Sequence, residues 1–170
     1  NPNLYNGTMG FPGASTYQTF AGLQSARTGI IWVGANDGML HAFNADTGQE
    51  VFAFVPKTAI ANGLASYATP TYAHKYFVDG DIAVADVYDT GTSSWRTILV
   101  GTLGRGGPGV FALDVTTPTA AGITLLWDKN ATDIPGGALG KNIGKPVIAQ
   151  TASGVWQVLI GNGPESTPDT

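Results

Sequence analysis

The chain has 170 residues, 43% of them apolar and only 12% charged, with a net charge of −4 and no cysteine. This balance supplies a core and excludes a disulfide framework, a thiolate metal site and a cysteine nucleophile. The eight Lys and Arg residues are scattered, with no basic cluster of the kind a nucleic-acid partner requires.

Gly 24 and Pro 10 together make a fifth of the chain, which favours short strands and many turns over long helices. No run reaches the roughly 18 consecutive apolar residues of a membrane-spanning helix. The chain opens abruptly at Asn1-Pro2-Asn3, as expected of a segment cut from something longer. Residues 1–29 are polar and glycine-rich with a weak helical patch around Tyr17 to Arg27, and are expected to form a lead-in packed on the first sheet.

Ile30-Ile31-Trp32-Val33 is β-branched and aromatic, and Met39 to Phe43 is mostly apolar. Between them, Asn36-Asp37-Gly38 supplies the positive φ angles of a tight hairpin loop. Asn44-Ala45-Asp46-Thr47-Gly48 is a second break, followed by a strand at Val51 to Val55 that Pro56 stops. Lys57 to Tyr67 has the composition of a short helix, weakened by Gly63.

The hairpin pattern then recurs. Thr97 to Gly101, a glycine-rich loop and Val110 to Asp114 repeat the first strand pair, with Leu40–Asn44 aligned on Val110–Asp114. Thr124 to Asp128 matches the Val51 strand, and Trp156 to Gly163 opens a third copy. Gly34, Gly101 and Gly161 serve as landmarks, 67 and 60 residues apart. A further strand precedes each later copy, at Asp81 to Tyr88 and at Pro146 to Gln150.

Short antiparallel strands in repeated units predict an all-β fold, a partial β-propeller of about two four-stranded antiparallel blades plus the start of a third. The expected division is a lead-in at 1–29, blade strands at 30–56, an insertion at 57–80, a second blade at 81–129 and the start of a third at 146–163. A β-sandwich with similar hairpins is the competing architecture. A propeller ring takes about four to eight blades, so the expected partners include remaining blades of a longer chain, or a second polypeptide.

Candidate chemistry is sparse. His41 and His74 are the only histidines, without metalloprotease spacing; His41 occupies the position of Phe111 in the second copy and is expected to pack, and His74 to sit in a turn. Asp79, Asp81, Asp86 and Asp89 are candidate calcium ligands if a loop gathers them, and turn caps otherwise. The run Gly101 to Gly109 resembles a phosphate loop but lacks the Gly-Lys-Ser/Thr ending and the following helix. No serine lies in a Gly-x-Ser-x-Gly elbow. Trp32, Trp95, Trp127 and Trp156 are expected to fill the wedges between blades. No catalytic, cofactor-binding or metal-binding residue is assigned, and binding is expected from the loops around 57–75 and 103–109.

The residue order within these blocks is itself informative. VGANDGMLHAFNADTG resembles quinoprotein-like propeller repeats, and more closely the C-terminal propeller of the PilC/PilY family of type IV pilus tip-associated adhesins. The resemblance runs through Tyr72 to Gly80, through Trp95 to Val115, and through Leu139-Gly140 to Gly144-Lys145-Pro146. It implies a secreted or outer-membrane-associated, non-enzymatic protein of pilus assembly and adhesion, whose partners are pilins or minor pilins and a host or abiotic surface. It also implies a calcium loop of EF-hand type in the complete parent domain. That loop's spacing is absent here, and no cofactor is expected in this segment. Two alternatives are built from repeats of the same kind. One is a quinone-dependent dehydrogenase propeller, which needs a central cofactor site; the other is an outer-membrane assembly scaffold.

Overall fold

A computed structural model describes residues 10–134, 139–141 and 143–164. The chain start at 1–9 and position 142 of the Leu139–Pro146 block lie outside the described residues. The elements are α1 (Tyr17–Gln24), β1 (Ile30–Gly34), β2 (Leu40–Asn44), β3 (Glu50–Phe54), α2 (Lys57–Ala61), β4 (Ile82–Asp89), β5 (Ser94–Thr102), β6 (Gly109–Asp114), β7 (Thr124–Asn130), β8 (Val147–Gln150) and β9 (Trp156–Leu159). They form three antiparallel sheets in chain order, β1-β2-β3, β4-β5-β6-β7 and β8-β9. The last strand of the second sheet runs two residues beyond its expected end.

The turn chemistry explains the first hairpin. Gly38 has φ +98°, where a side chain is strained, and a Cβ there would meet Leu64 at 2.4 Å. The Asp37 carboxylate accepts from the Met39 amide at 3.0 Å, and the Asn36 side chain accepts from the Phe77 amide at 3.0 Å. Each residue of the Asn-Asp-Gly triplet therefore has its own task.

The repeat is physical as well as textual. In the first sheet, a bulge after Ala42 shifts pairing from Phe52 to Glu50; in the second, a bulge after Ala112 shifts it from Trp127 to Leu125. Asn44 and Asp114, at the ends of β2 and β6, each cap the following turn, accepting from Asp46 and Thr116 amides at 2.9 and 3.0 Å. The bulge and the cap thus occur at the same places in both copies.

The sheets stack front to back. Leu99, Phe111 and Leu113 on one face of the second sheet cluster with Leu40, Trp32, Phe52 and Phe54 of the first. On its opposite face Ile98, Val100, Val110 and Ala112 cluster with Ile148, Val158 and Ile160 at the third. A two-layer sandwich would leave one of these faces to solvent, whereas successive propeller blades cover both. β4 also lies beside β8, so the second and third sheets approach one another at their first strands. The three sheets remain an open series.

Two sequence readings need correction. First, Gly34 pairs with Leu40 while Thr102 pairs with Val110, so Thr102, not Gly101, is the equivalent of Gly34. Gly101 lies on the opposite face, opposite Phe111, and a Cβ there would strike the Phe111 ring at 2.4 Å. Second, the lead-in packs on the second sheet rather than the first. Tyr17 stacks against Trp95 with ring centroids 4.6 Å apart, the Trp95 indole donates to the Gly13 carbonyl at 3.0 Å, and the Tyr17 hydroxyl donates to Asp86 at 2.8 Å. The long β4-β5 hairpin supplies an aromatic seat of Tyr88 and Trp95, which Trp156 of the third sheet extends.

Phe111 is fully buried between the first two sheets. Replacing it with Ala should destabilise the fold by about 3–5 kcal/mol, read as a lower denaturant midpoint. A change under about 1 kcal/mol would contradict this packing.

Candidate binding site

The loops at one end of the sheets are drawn together by a single extended segment. Phe77 and Val78 are buried, the Val78 amide donates to Ala35 of the first hairpin loop at 3.3 Å, and the Asp79 amide donates to Leu103 of the second at 3.2 Å. This segment is the Tyr76-Phe77-Val78-Asp79-Gly80 block, and it stitches neighbouring blades. Its backbone runs so close to the second loop that a Cβ at Gly106 would stand 1.6 Å from the Phe77 carbonyl oxygen. The glycines of the 101–109 run therefore answer to close backbone approach as well as to turn geometry.

Helix α2 completes the site. Its Lys57 amide donates to the Asp128 carboxylate on β7 at 2.7 Å, which fixes the helix against the second sheet. The Asn62 side chain donates to the Gly106 carbonyl at 3.0 Å, tying the end of α2 to the loop. Between these elements lies a cleft of about 470 Å³, lined among others by Thr58, Asn62, Arg105, Gly107, Asn130 and Lys141. That volume is in the range of small-ligand and short-peptide sites. The structure thus brings together parts of the two loop regions that the sequence nominates for binding, and adds Asn130 and Lys141, which sequence reasoning missed.

The electrostatics of the cleft are uneven. Lys57 pairs with Asp133, which holds that carboxyl below its usual range. Burial pushes Asp128 up. Arg105 lies over the Tyr76 ring at 5.1 Å and donates to its hydroxyl at 3.2 Å; it makes no ion pair among the described residues. The Thr58 hydroxyl and one Asp128 oxygen are buried without a partner among the described residues.

The other candidate residues are dispersed. Asp86 accepts from Tyr17 and Thr97, and Asp89 caps the Gly91 turn and pairs with Arg96 at 3.0 Å. Asp79 and Asp81 border a neighbouring shallow depression, which Arg105 also lines. No three His, Asp or Glu side chains among the described residues are grouped to hold a metal ion, so this set does not fit the calcium loop that the resemblance implies for the parent. His74 is exposed and meets Tyr76 edge-on. Trp32 and Trp127 pack against the two inter-sheet clusters, while Trp95 and Trp156 form the seat of the lead-in.

His41 departs from its expected packing role. It occupies the place of Phe111 on the face of the first sheet that points away from the second, but its Nδ1 meets Glu50 at 2.5 Å and its Nε2 meets Asp37 at 2.9 Å. Ionised carboxylates only accept, so in its protonated form the ring donates from both nitrogens and bridges the hairpin turn to β3. The Glu50 hydrogen bond, reinforced by Asp37, raises the histidine above its ordinary value against the opposing effect of burial. Beside it, Ile31 and Val33 are 52% and 41% exposed, whereas Leu99 at the equivalent of Ile31 is fully buried.

A family model described as the PilY1 beta-propeller domain matches residues 8–168. The chain belongs to the PilY1 β-propeller family. It is 56% identical over 169 residues to a type IV pilus biogenesis factor PilY1 homolog of Xylella fastidiosa, covering 99% of this chain. It is 43% identical over 159 residues to the type IV pilus biogenesis factor PilY1 of Pseudomonas aeruginosa, covering 92%. The crystal structure of the Pseudomonas aeruginosa PilY1 C-terminal domain matches with a TM-score of 0.69 and 43% identity over 88% of the chain. The chain spans 13% of each of these curated relatives and 28% of the solved domain. The expected PilC/PilY membership and propeller class are both met, with three strands among the described residues, rather than the expected four, in the first sheet.

The His41 clamp makes a pH prediction. The folded state binds the proton more tightly than the unfolded chain, whose histidine titrates near 6.5. The clamp's stabilisation is therefore complete below about 6.5 and is lost as pH rises through the folded value. Imidazole titration by NMR should place His41 above 6.5, and His41→Gln should remove this part of the pH dependence of unfolding. A folded value at or below 6.5 would contradict the clamp.

Proposed function

We propose that the chain is a non-enzymatic binding segment of a type IV pilus biogenesis and adhesion protein. It acts at the cell surface, as part of a secreted or outer-membrane-associated parent, and its partners are pilins or minor pilins together with a host or abiotic surface. The observation that carries this reading is the similarity, over 99% and 92% of this chain, to PilY1 pilus biogenesis factors. The loop cleft supports it: a concave site assembled from loops on a rigid stack of sheets is the arrangement that binding surfaces use.

The uncovered sheet faces extend the proposal. Ile31 and Val33 on the first sheet, and Val147 and Leu159 on the third, are exposed at the two open ends of the stack. Further blades on these faces, supplied by the parent chain or by a second polypeptide, are supported by the front-to-back packing inside the chain. The division into lead-in, first blade, insertion, second blade and third start is proposed on the same grounds.

Genetic replacement tests the binding role. A parent gene in which residues 104–108 are exchanged for a neutral loop of equal length, retaining Gly106, should yield normally secreted protein but several-fold fewer surface pili or attached cells. Wild-type piliation and attachment in that strain would overturn the reading.

A further inference from the structure

We infer that the cleft between α2 and the 103–109 loop receives a carboxylate carried on a partner polypeptide, with Arg105 as the residue that grips it. This deepens the binding role proposed above and rests on it.

The first argument is charge. The chain carries a net charge of −4, yet the described residues that line the cleft include Arg105 and Lys141 and no carboxylate. Of the acids nearest the cleft, Asp133 is held by Lys57 and by the Asn130 amide, and Asp128 is drawn toward its neutral form by burial. Asp79 and Asp81 share a neighbouring depression with Arg105, but neither forms an ion pair with it among the described residues. A cationic concavity on an acidic protein selects anions, because an anion elsewhere on its surface meets repulsion.

The second argument is geometry. Arg105 is positioned from beneath by the Tyr76 ring, and only its Nη1 is used, by the Tyr76 hydroxyl. Its Nε and Nη2 have no partner among the described residues. A guanidinium already held in one orientation offers these donors to a carboxylate with little further loss of freedom. Its loop is fixed in turn by Gly106 against the Phe77 carbonyl and by Asn62, so the residue sits on a rigid mount.

The third argument is the neutral lining. Ala61, Pro108 and Ala131 border the same cleft, which suits the short aliphatic stem of an acidic side chain or of a chain terminus. Thr58 is largely buried at its wall.

The test uses the full-length protein and fluorescein-labelled probes read by anisotropy. One probe is an acetylated, amidated hexapeptide alternating glutamate and alanine; the other is an alanine hexapeptide with a free C-terminal carboxylate; a third is an oligouronate. Binding of either peptide, weakened about tenfold or more in Arg105→Gln, partly restored in Arg105→Lys and reduced by salt, is expected; which peptide binds distinguishes a side-chain from a terminal carboxylate. Should the Gln variant misfold, the salt dependence and Arg105 side-chain NMR shifts in the wild-type protein carry the same decision. Equal peptide binding by wild type and Arg105→Gln, binding of the oligouronate alone, or no binding of any probe would overturn the inference. If Arg105→Gln also leaves piliation normal while the loop exchange abolishes it, the carboxylate site fails and the wider binding role survives.

Discussion

Everything in this chain depends on one sheet being apolar on both sides. In β5 and β6 of the second sheet, nearly every residue is buried, from Thr97 to Thr102 and from Gly109 to Leu113. Leu99, Phe111 and Leu113 look one way, and Ile98, Val100, Val110 and Ala112 the other. Full burial of such a side chain contributes about 1.5–3 kcal/mol, so leaving either face in water would forfeit much of the stability of a small fold. Two neighbouring sheets are therefore required, and the repeat supplies them.

The order of packing follows from the same requirement. Because side chains alternate across a strand, the residues that meet the next blade and those that meet the previous one are interleaved in a single run. The outer face of the first sheet packs on no other sheet among the described residues: Ile31 and Val33 are exposed, and His41 stands where the second copy has phenylalanine. A histidine held by Asp37 and Glu50 is a polar way to occupy a position that in the next blade is a packed ring.

The candidate binding site is a by-product of this stacking. Sheets joined by their loops gather those loops at one end, and the Val78–Asp79 segment fixes the two hairpin loops to each other through backbone hydrogen bonds. Arg105 stands on that fixed ground. The Tyr76 ring and hydroxyl orient it, while it makes no ion pair among the described residues.

Much of this was legible in the sequence, for identifiable reasons. The hairpins were visible because Asn36-Asp37-Gly38 and the β-branched runs carry strong local signals, and the repeat was visible because Leu40–Asn44 and Val110–Asp114 share the alanine before the bulge and end on chemically similar caps, Asn44 and Asp114. Three features were not legible. The one-residue slip between Gly34 and Gly101 is a matter of pairing register, which a glycine alone does not report. The seat of the lead-in depends on Trp95 and Asp86 meeting Tyr17 across roughly 70 to 80 residues of sequence. The His41 clamp needs Glu50 brought alongside across a bulge; the spacing of Asp37 and His41 was the only local hint.

The most direct test is a set of side-chain NOEs on the second sheet. Phe54 and Phe111 ring centroids are 5.2 Å apart, so Phe111 should show contacts to Phe54 and Leu40 of the first sheet and none to the third. Val100 and Val110 should contact Ile148 and Val158 and none of the first sheet. Contacts from both sets to a single neighbouring layer would contradict the stacked-blade account.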